Sequence, residues 1–378
     1  MGRFVNFLGG MSVGVLPVSN IGGILFNTPD ILKVKSTEER IKDIIQRARP
    51  GYTMVDSGGY QAFKVKENNR DVSPEEQTRL IMNENGPIYG KKTFNLTAKH
   101  VLDAVLLIGP DFVISPDIPV PMPAHPDQKR FLFLESLGYN VYCAGELSRL
   151  LREHHLDTKL LIPLQLFDLF EYDYFTKQIG NIDFAGLSVP RRIMSNEKLA
   201  LFILKARSMG ITYFHLLGSG RMAHIAILAY MARHYMDFLS LDSTNIFRFS
   251  STSQYLRPFS LISLDLRVEG SKDDLTVPIS CGCPWCRCYK SFYGIQYEGT
   301  EDKFAFLVNH NHFVVEQAMA EFMKNAGTAA SLAQFLESRT KRHQEVRSIY
   351  NILSRIESLK TAALRPDVLE AMFNKFCR

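Results

Sequence analysis

The chain of 378 residues is 46% hydrophobic and 22% charged, and its formal net charge is +5. This length suggests two or so domains or one large α/β barrel, and the composition excludes a disordered or fibrous chain. The mild positive charge permits a phosphate-bearing partner without requiring one. Glycines, a proline and asparagines interrupt the apolar stretch over residues 5–26. A membrane helix needs roughly 20 uninterrupted apolar residues, so none is predicted and a cytoplasmic protein is expected.

Helix signals and short apolar runs alternate after this opening segment. Ser36-Thr37-Glu38-Glu39 introduces a helix with an apolar stripe, and Ser73-Pro74-Glu75-Glu76 combines a capping box with proline at the first helical position. Further helices are predicted from Asn95, over 128–137 with Gly138 as its end, over 144–155, from Ser195 to Gly210, and over 222–235. Apolar runs typical of buried strands lie at 52–55, 112–115, 160–164, 184–189, 213–217 and 238–241.

Strands that alternate with helices predict a parallel sheet, and the regularity of the pattern favours a closed (β/α)8 barrel, the TIM barrel. A doubly wound sheet is the alternative, but no Gly-x-Gly-x-x-Gly follows the first predicted strand. We assign residues 1–248 to the main part of the barrel. Residues 249–313, where the rhythm is lost, form an insertion, and residues 314–378 form C-terminal helices that complete or pack on the barrel.

Polar residues and glycines stand at or just past the predicted carboxyl ends of the strands. They are Asp56, Asp117, Gln165, Gly186, Gly218 and Asp242. In a (β/α)8 barrel these ends meet at one face, where the active site is built. Asp56 taken alone has a second interpretation, as a turn residue that hydrogen-bonds its own backbone. The convergence of so many candidates on one face favours an active site.

Four of the six cysteines are crowded into one short stretch. Cys281, Cys283 and Cys286 form a C-x-C-x-x-C pattern, and His310 and His312 follow at a distance. Such crowding in a chain without a secretory signal indicates a metal, since three thiolates and one imidazole complete a closed tetrahedral zinc site. Closed sites are structural, so this zinc is expected to hold the insertion together. A redox dithiol is the alternative.

In their order, these motifs resemble the tRNA-guanine transglycosylase superfamily from about residue 50 to about residue 315. The matching segments are Asp56-Ser57-Gly58-Gly59-Tyr60-Gln61, Asp117-Ile118-Pro119, Gln165, Gly186-Leu187-Ser188-Val189, Gly218-Ser219-Gly220, Asp242-Ser243 and the cysteine pattern with His310-Asn311. The resemblance implies a (β/α)8 barrel with a structural Zn2+ that exchanges a guanine base for a 7-deazaguanine without cutting the nucleic-acid backbone.

The resemblance also implies a role for each matched residue. Asp242 is the nucleophile and Asp56 the general acid and base. The residues that bind the base are Ser57, Gly58, Tyr60, Asp117, Gln165, Gly186, Leu187 and Gly218. The zinc ligands are Cys281, Cys283, Cys286 and His310, with His312 open as the alternative fourth ligand because it fits the family's spacing better. These roles agree with the chemistry, since a retaining exchange at an anomeric carbon uses one nucleophilic and one proton-handling carboxyl group.

The chain departs from the tRNA enzymes of this group in three places. Tyr60 replaces their usual phenylalanine, Pro190-Arg191-Arg192 stands where bacterial members carry Gly-Glu, and the stretch from Ser243 to Arg248 replaces Pro-Thr-Arg. The residues matched to the catalytic roles are unchanged, so these three differences concern the choice of polymer substrate and not the reaction. They favour a branch of the superfamily that acts on DNA, with Arg191, Arg192 and Arg248 as phosphate contacts.

The expected partners are therefore DNA and a free base such as 7-cyano-7-deazaguanine, with no membrane. A tRNA substrate is the alternative, although the chain ends soon after its last helices and leaves no room for the RNA-binding domain of archaeal members. A catalytically inactive, nucleic-acid-binding subunit is a third hypothesis, but such a partner would be expected to lack one of the two catalytic carboxylates. A phage-borne gene would place the enzyme in the host cytoplasm.

Overall fold

The structure is a computed structural model. It describes residues 2–9, 21–32, 37–58, 96–117, 126–166, 168–190, 195–242, 245–266, 281–288, 291 and 303–377. The predicted helix at Ser73 and the predicted site residues Tyr60, Arg191 and Arg192 lie outside these ranges.

Eight parallel strands form a closed barrel, which confirms the predicted fold class. The strands are β1 (Arg3–Gly9), β2 (Gly23–Asn27), β3 (Tyr52–Asp56), β4 (Phe112–Ile114), β5 (Lys159–Pro163), β6 (Gly186–Pro190), β7 (Tyr213–Leu217) and β8 (Phe238–Asp242). Strand β1 pairs with both β2 and β8, and this pairing closes the barrel. The sequence pattern does not reveal β1 and β2, because the glycines of the opening segment interrupt it.

Helices follow the strands on the outside of the barrel. They are α1 (Thr28–Leu32), α2 (Thr37–Ala48), α3 (Ala98–Ile108), α4 (Pro126–Glu153), α5 (Phe170–Ile179), α6 (Asn196–Ser208) and α7 (Met222–His234). The hydroxyl of Thr97 caps α3 and that of Ser195 caps α6, each by accepting a backbone N–H of the first turn.

The two helices predicted over residues 128–155 are a single helix, α4, so their separation at Gly138 is wrong. The buried stripe continues across the glycine, with Leu137 before it and Ala144 and Leu147 after it. A glycine inside a helix costs only about 1 kcal/mol relative to alanine, which this packing offsets.

An apolar floor fills the amino-terminal end of the barrel. The rings of Tyr52, Phe112, Tyr213 and Phe238, which we call the aromatic plug, pack together with centroids 4.7 to 6.0 Å apart. The ammonium group of Lys159 lies 5.6 Å from the ring centre of Phe112 and 5.2 Å from that of Tyr213. The carboxyl groups at the opposite end of the strands therefore stand above an apolar interior.

After β8 the alternation stops. The chain forms α8 (Asn245–Ser251), an antiparallel pair of β9 (Gln254–Leu256) and β10 (Ser263–Asp265), and a 3-10 turn (Cys286–Cys288). Helices α9 (Lys303–Asn325), α10 (Ala329–Arg339), α11 (His343–Leu359) and α12 (Pro366–Phe376) follow, with a 3-10 turn (Lys360–Leu364) between the last two. Among the described residues, no helix combines the length and the hydrophobicity needed to cross a membrane.

The C-terminal helices form a second layer on one side of the barrel. Helices α9 and α11 pack against α7, and α11 and α12 pack against α6. Helix α7 is consequently buried from Met222 to Ala232. Helix α9 runs without a break across the predicted boundary between residues 313 and 314, so one element serves both the zinc segment and the terminal helices.

Candidate active site and zinc centre

Asp242 is the last residue of β8, and its carboxylate faces the end of β7. The amide of Gly218 donates to Oδ1 of Asp242, and the amide of Ser219 donates to the carbonyl oxygen of Asp242 at 3.2 Å. Gly218 has a φ of +72°, a conformation that favours glycine, and this turn aims its amide at the carboxylate. Burial raises the pKa of Asp242 to about 6, although the hydrogen bond from Gly218 opposes the rise.

Asp56 ends β3, and Asp117 follows the neighbouring strand β4. Burial above all, and then the negative charges of Asp117 and Asp242, raise the pKa of Asp56 to about 7. The backbone amides of Gly58 and Ser57 donate to this carboxyl group and limit the rise. Because the charges of both Asp117 and Asp242 act on Asp56, these three carboxyl groups lie near one another at the mouth of the barrel.

A buried hydrogen-bonded set lies beside Asp56. One carboxylate oxygen of Asp117 accepts from Nε2 of Gln165 at 3.1 Å, and the other accepts from the hydroxyl of Ser57 at 3.4 Å. All three side chains are buried. Gln165 stands two residues beyond β5, so the set joins the ends of three neighbouring strands. It combines a carboxylate with an amide, the groups that can bind the hydrogen-bonding edge of a base.

The structure places Gly186 away from this site, so its predicted position at the carboxyl end of a strand is wrong. Gly186 is the first residue of β6, and Leu187 after it packs in the core between barrel and helices. A Cβ on Gly186 would lie 2.2 Å from the carbonyl oxygen of Tyr213, so close packing against β7 accounts for the glycine. The end of β6 that borders the mouth is Pro190.

His215 lies between Ser240 and Asp242 inside the barrel, and no sequence motif singles out His215 or Ser240. Nδ1 of His215 lies 2.8 Å from Oγ of Ser240, and its Nε2 lies 3.9 Å from Oδ1 of Asp242. Burial lowers the pKa of His215 to about 3, so the imidazole is neutral and does not form an ion pair with Asp242. The signal that could have found it is a histidine at an inward-facing position of an apolar strand, three residues before Gly218.

The ligand atoms of Cys281, Cys283, Cys286 and His310 lie within 4.8 Å of one another in a buried cluster. Nδ1 of His310 is 3.7, 3.4 and 3.2 Å from the sulfur atoms of Cys281, Cys283 and Cys286. Bonds of about 2.3 Å from zinc to sulfur and about 2.0 Å to nitrogen, at a tetrahedral angle, separate the two ligand atoms by about 3.5 Å. The cluster fits a closed, structural zinc site.

Contacts around His310 fix its orientation. Its Nε2 lies 2.8 Å from the carbonyl oxygen of Leu256 and donates to it, so the lone pair of Nδ1 faces the sulfur atoms. The ring of Tyr255 stacks on the imidazole with centroids 3.7 Å apart. Asn311 accepts from the amide of Leu256 at 2.8 Å and donates to Oγ of Ser250 at 3.1 Å. These contacts tie α9 to β9 and α8.

His312 is not part of the cluster, so the alternative in which it is the fourth ligand is wrong. Residues two apart on a helix point about 200° away from each other. The Nε2 of His312 accordingly lies 3.6 Å from Oε1 of Glu316 on the opposite face of α9.

A scan against protein families matches residues 19–345 to the family described as queuine tRNA-ribosyltransferase. A search of curated proteins finds no match. The matched range includes strands β2 to β8 and the zinc cluster. Members of the family are guanine transglycosylases, which are pentosyltransferases. On this match, the chain belongs to the queuine tRNA-ribosyltransferase family.

Proposed function

We propose that the protein exchanges guanine in DNA for a free 7-deazaguanine such as 7-cyano-7-deazaguanine, through a covalent bond between the sugar and Asp242. The observation that carries this proposal is the pair of carboxyl groups at one mouth: Asp56 ends β3, Asp242 ends β8, and the charge of Asp242 acts on Asp56. Burial raises the pKa of both groups, and the charges of Asp117 and Asp242 raise that of Asp56 further, so Asp56 keeps its proton more readily than Asp242. Such a pair can supply a nucleophile and an acid at the same pH.

The exchange takes two displacements at the anomeric carbon. In the first, an oxygen of Asp242 bonds to this carbon while the bond to N9 of guanine breaks, and Asp56 gives its proton to the departing base. In the second, N9 of the 7-deazaguanine bonds to the carbon, the ester to Asp242 breaks, and Asp56 takes the N9 proton. Two inversions restore the original configuration. Zinc in its closed site stabilises the fold.

The base is read by the hydrogen-bonded set at the mouth. Guanine and its 7-deaza analogues share an edge with N–H donors, to which the carboxylate of Asp117 can bind in paired fashion. A carboxylate offers about four lone-pair positions, so Asp117 can keep its bonds to Ser57 and Gln165 as it binds. The amide of Gln165 can reach the O6 side. We assign no base contact to Gly186 or Leu187, which lie away from the mouth.

The departures at Tyr60, at residues 190–192 and at residues 243–248 support DNA as the polymer. Arg248 is exposed on α8, the element that leaves the mouth directly after Asp242. A flipped guanine costs a few kcal/mol in duplex DNA, and phosphate contacts from arginines can offset this cost. A tRNA substrate is the second candidate, favoured by the description of the matched family.

Nucleoside mass spectrometry tests the choice of polymer. The protein is incubated with 7-cyano-7-deazaguanine and either duplex DNA or bulk tRNA, and the digests are compared. Modified deoxynucleoside in the DNA digest alone is the expected result. Modified nucleoside in the tRNA digest alone favours the second candidate, and its absence from both contradicts the exchange.

The covalent intermediate has its own test. Wild-type protein with substrate should give a shifted band on a denaturing gel, and Asp242→Asn should give none because an amide is a poor nucleophile. The variant is nearly isosteric, so thermal unfolding should report an intact fold. An equally shifted band from a folded Asp242→Asn protein would assign the nucleophile elsewhere.

A further inference from the structure

A row of polar side chains crosses the barrel interior directly below the mouth. Ser188, His215 and Ser240 occupy paired positions of β6, β7 and β8, and each is fully buried. The next residue around the barrel at this level is Val5, and the plug below is aromatic. Polar groups in such a place cost free energy unless they are hydrogen-bonded, so an imidazole there has to be accounted for.

The two ring nitrogens of His215 differ in their surroundings. Nδ1 is 2.8 Å from the hydroxyl of Ser240, whereas Nε2 is buried and has no hydrogen-bond partner among the residues that the structure describes. Oδ1 of Asp242 lies 3.9 Å from Nε2. The ring of Phe7 meets the imidazole edge-on, with centroids 5.9 Å apart at 80°, and holds its plane. A movement of about 1 Å would bring Nε2 and Oδ1 within hydrogen-bonding distance.

The tautomer of the neutral imidazole follows from these neighbours. A hydroxyl can donate or accept, so Ser240 can serve either tautomer. An ionised carboxylate can only accept, so a bare Nε2 would set two lone pairs against each other. The proton therefore belongs on Nε2, and the hydroxyl of Ser240 donates to Nδ1.

We propose that His215 is a positioning residue for the nucleophile: its Nε2–H donates to Oδ1 of Asp242. The amide of Gly218 donates to the same oxygen. With Oδ1 held by two donors, Oδ2 is the oxygen that bonds to the anomeric carbon. This inference rests on the proposed function, because it assigns the attacking atom of that reaction.

The hydrogen bond has two measurable effects. A bond to an ionised group orients it, and its loss should slow formation of the covalent intermediate by about ten- to a hundredfold. Donation to a carboxylate also favours the ionised form. The other carboxyl groups of the site are Asp56, on which the charge of Asp242 acts, and Asp117, whose charge also acts on Asp56. Without the donor, the acid limb of the pH–rate profile should move to higher pH.

The tautomer can be measured on the protein without any substrate. Imidazole 15N shifts of protein labelled at histidine, with the His215 signals identified by their loss in His215→Phe, should show a proton on Nε2 and none on Nδ1 from about pH 6 to about pH 8. A proton on Nδ1 would overturn the proposal, because Nε2 could not donate. If His215→Phe fails to fold, the loss of the same signals in His215→Gln identifies them, and the tautomer is still read from the wild-type protein.

Rates of adduct formation give the second measurement, with a guanine-containing DNA oligonucleotide and with bulk tRNA. His215→Phe keeps a ring without a donor and should show the slower rate and the shifted acid limb. His215→Gln, whose amide nitrogen can reach the place of Nε2, should recover most of the rate and the wild-type limb. The matched control is His224→Gln, which removes another buried imidazole that is 2.8 Å from a serine hydroxyl, that of Ser219. Its acid limb should stay in place.

The outcomes separate the two proposals. The role of His215 would be overturned if folded His215→Phe kept the wild-type acid limb. It would also be overturned if His215→Gln formed the adduct no faster than His215→Phe. If wild-type protein forms no adduct with either polymer, the proposed function fails. The 15N shifts then still decide whether Nε2 of His215 carries the proton that the contact with Asp242 requires.

Discussion

At the mouth of the barrel, the carboxyl groups of Asp56 and Asp242 have raised pKa values. Burial disfavours the charged form of Asp56 and Asp242, and the nearby charges of Asp117 and Asp242 add to the effect at Asp56. Protein folding alone would not select such an arrangement, because an ionised buried carboxylate reduces stability. A reaction that uses one carboxyl group as a proton donor and another as an anion would explain why both are buried at one site.

The rate of adduct formation should depend on pH as a bell. Asp242 must be ionised and Asp56 protonated, so the rate should rise through about pH 6 and fall through about pH 7. Because the carboxyl groups interact, the two limbs belong to the set as a whole. Single-turnover rates between about pH 5 and about pH 9 would measure them. A rate that is still rising above about pH 8 would contradict this assignment of the acid.

Asp56→Asn should stabilise the protein while it impairs the reaction. The pKa of Asp56 is about 7 in the folded protein against an ordinary value of 3.8. Folding therefore favours the protonated form, and the free energy of unfolding of the wild-type protein decreases as pH rises from the ordinary value to the folded one. The substitution should raise the free energy of unfolding by about 1 to 4 kcal/mol at about pH 8, and by much less near about pH 4.5. Urea unfolding at both pH values measures the difference.

The control for this prediction is Asp237→Asn, at an exposed position just before β8. It should leave the free energy of unfolding nearly unchanged at either pH. An Asp56→Asn gain of the same size at both pH values would mean that burial of the charge is not its cause.

Among the elements, α9 links the zinc cluster to the barrel. It carries His310 and Asn311, which hold β9, and it packs against α7 farther along. Loss of zinc should therefore loosen more than the cysteine segment. Binding energy at a structural metal site is also folding energy, because the site does not exist in the unfolded chain.

Cys283→Ala and His310→Gln should each lose bound zinc and lower the unfolding temperature by about 5 °C or more. Two matched controls lie close by. His312→Gln removes a neighbouring buried imidazole of α9, and Cys143→Ala removes a buried thiol of α4; both should keep their zinc. Elemental analysis with thermal unfolding tests all four variants. Zinc-free wild-type protein, or zinc lost from His312→Gln, would contradict the ligand set.

The success of sequence-based prediction differed between elements for physical reasons. Asp56 and Asp242 could be placed because each follows an unbroken apolar run whose end is visible. Gly186 could not, because the apolar run around it continues on both sides and the strand begins later than the pattern suggests. Gly138 is predicted to end a helix, but the helix continues because its buried side chains continue on both sides of the glycine. His215 owes its importance to a neighbour on another strand, which no local pattern contains.

For the whole molecule, the net charge of +5 is too small to predict a polymer by itself. The position of the cations decides more, because a phosphate backbone must pass the mouth for its guanine to enter. Arg248 is an exposed cation on α8, the element that follows Asp242.

Arg248→Ala should weaken binding of a DNA oligonucleotide at low salt and reduce the slope of log affinity against log salt by about 1. A double substitution of Arg191 and Arg192 should act in the same direction and more strongly. Fluorescence anisotropy across a salt series measures both. The control is Lys177→Ala, in the exposed last turn of α5 at the other end of the barrel. Equal losses in the control would mean that the effect is one of overall charge.

The aromatic plug has a consequence for the order of events during turnover. In the described part of the chain its rings and Lys159 fill the amino-terminal end of the barrel, so bases have to enter and leave by the mouth that the polymer occupies. The released guanine and the incoming base need the same space, and one must be gone before the other arrives. The enzyme is therefore expected to show ping-pong kinetics, in which free guanine competes with the deazaguanine for the covalent intermediate. Added guanine should therefore raise the apparent KM for the deazaguanine. The ratio of free guanine to free deazaguanine around the enzyme would then determine how much deazaguanine is incorporated into the polymer.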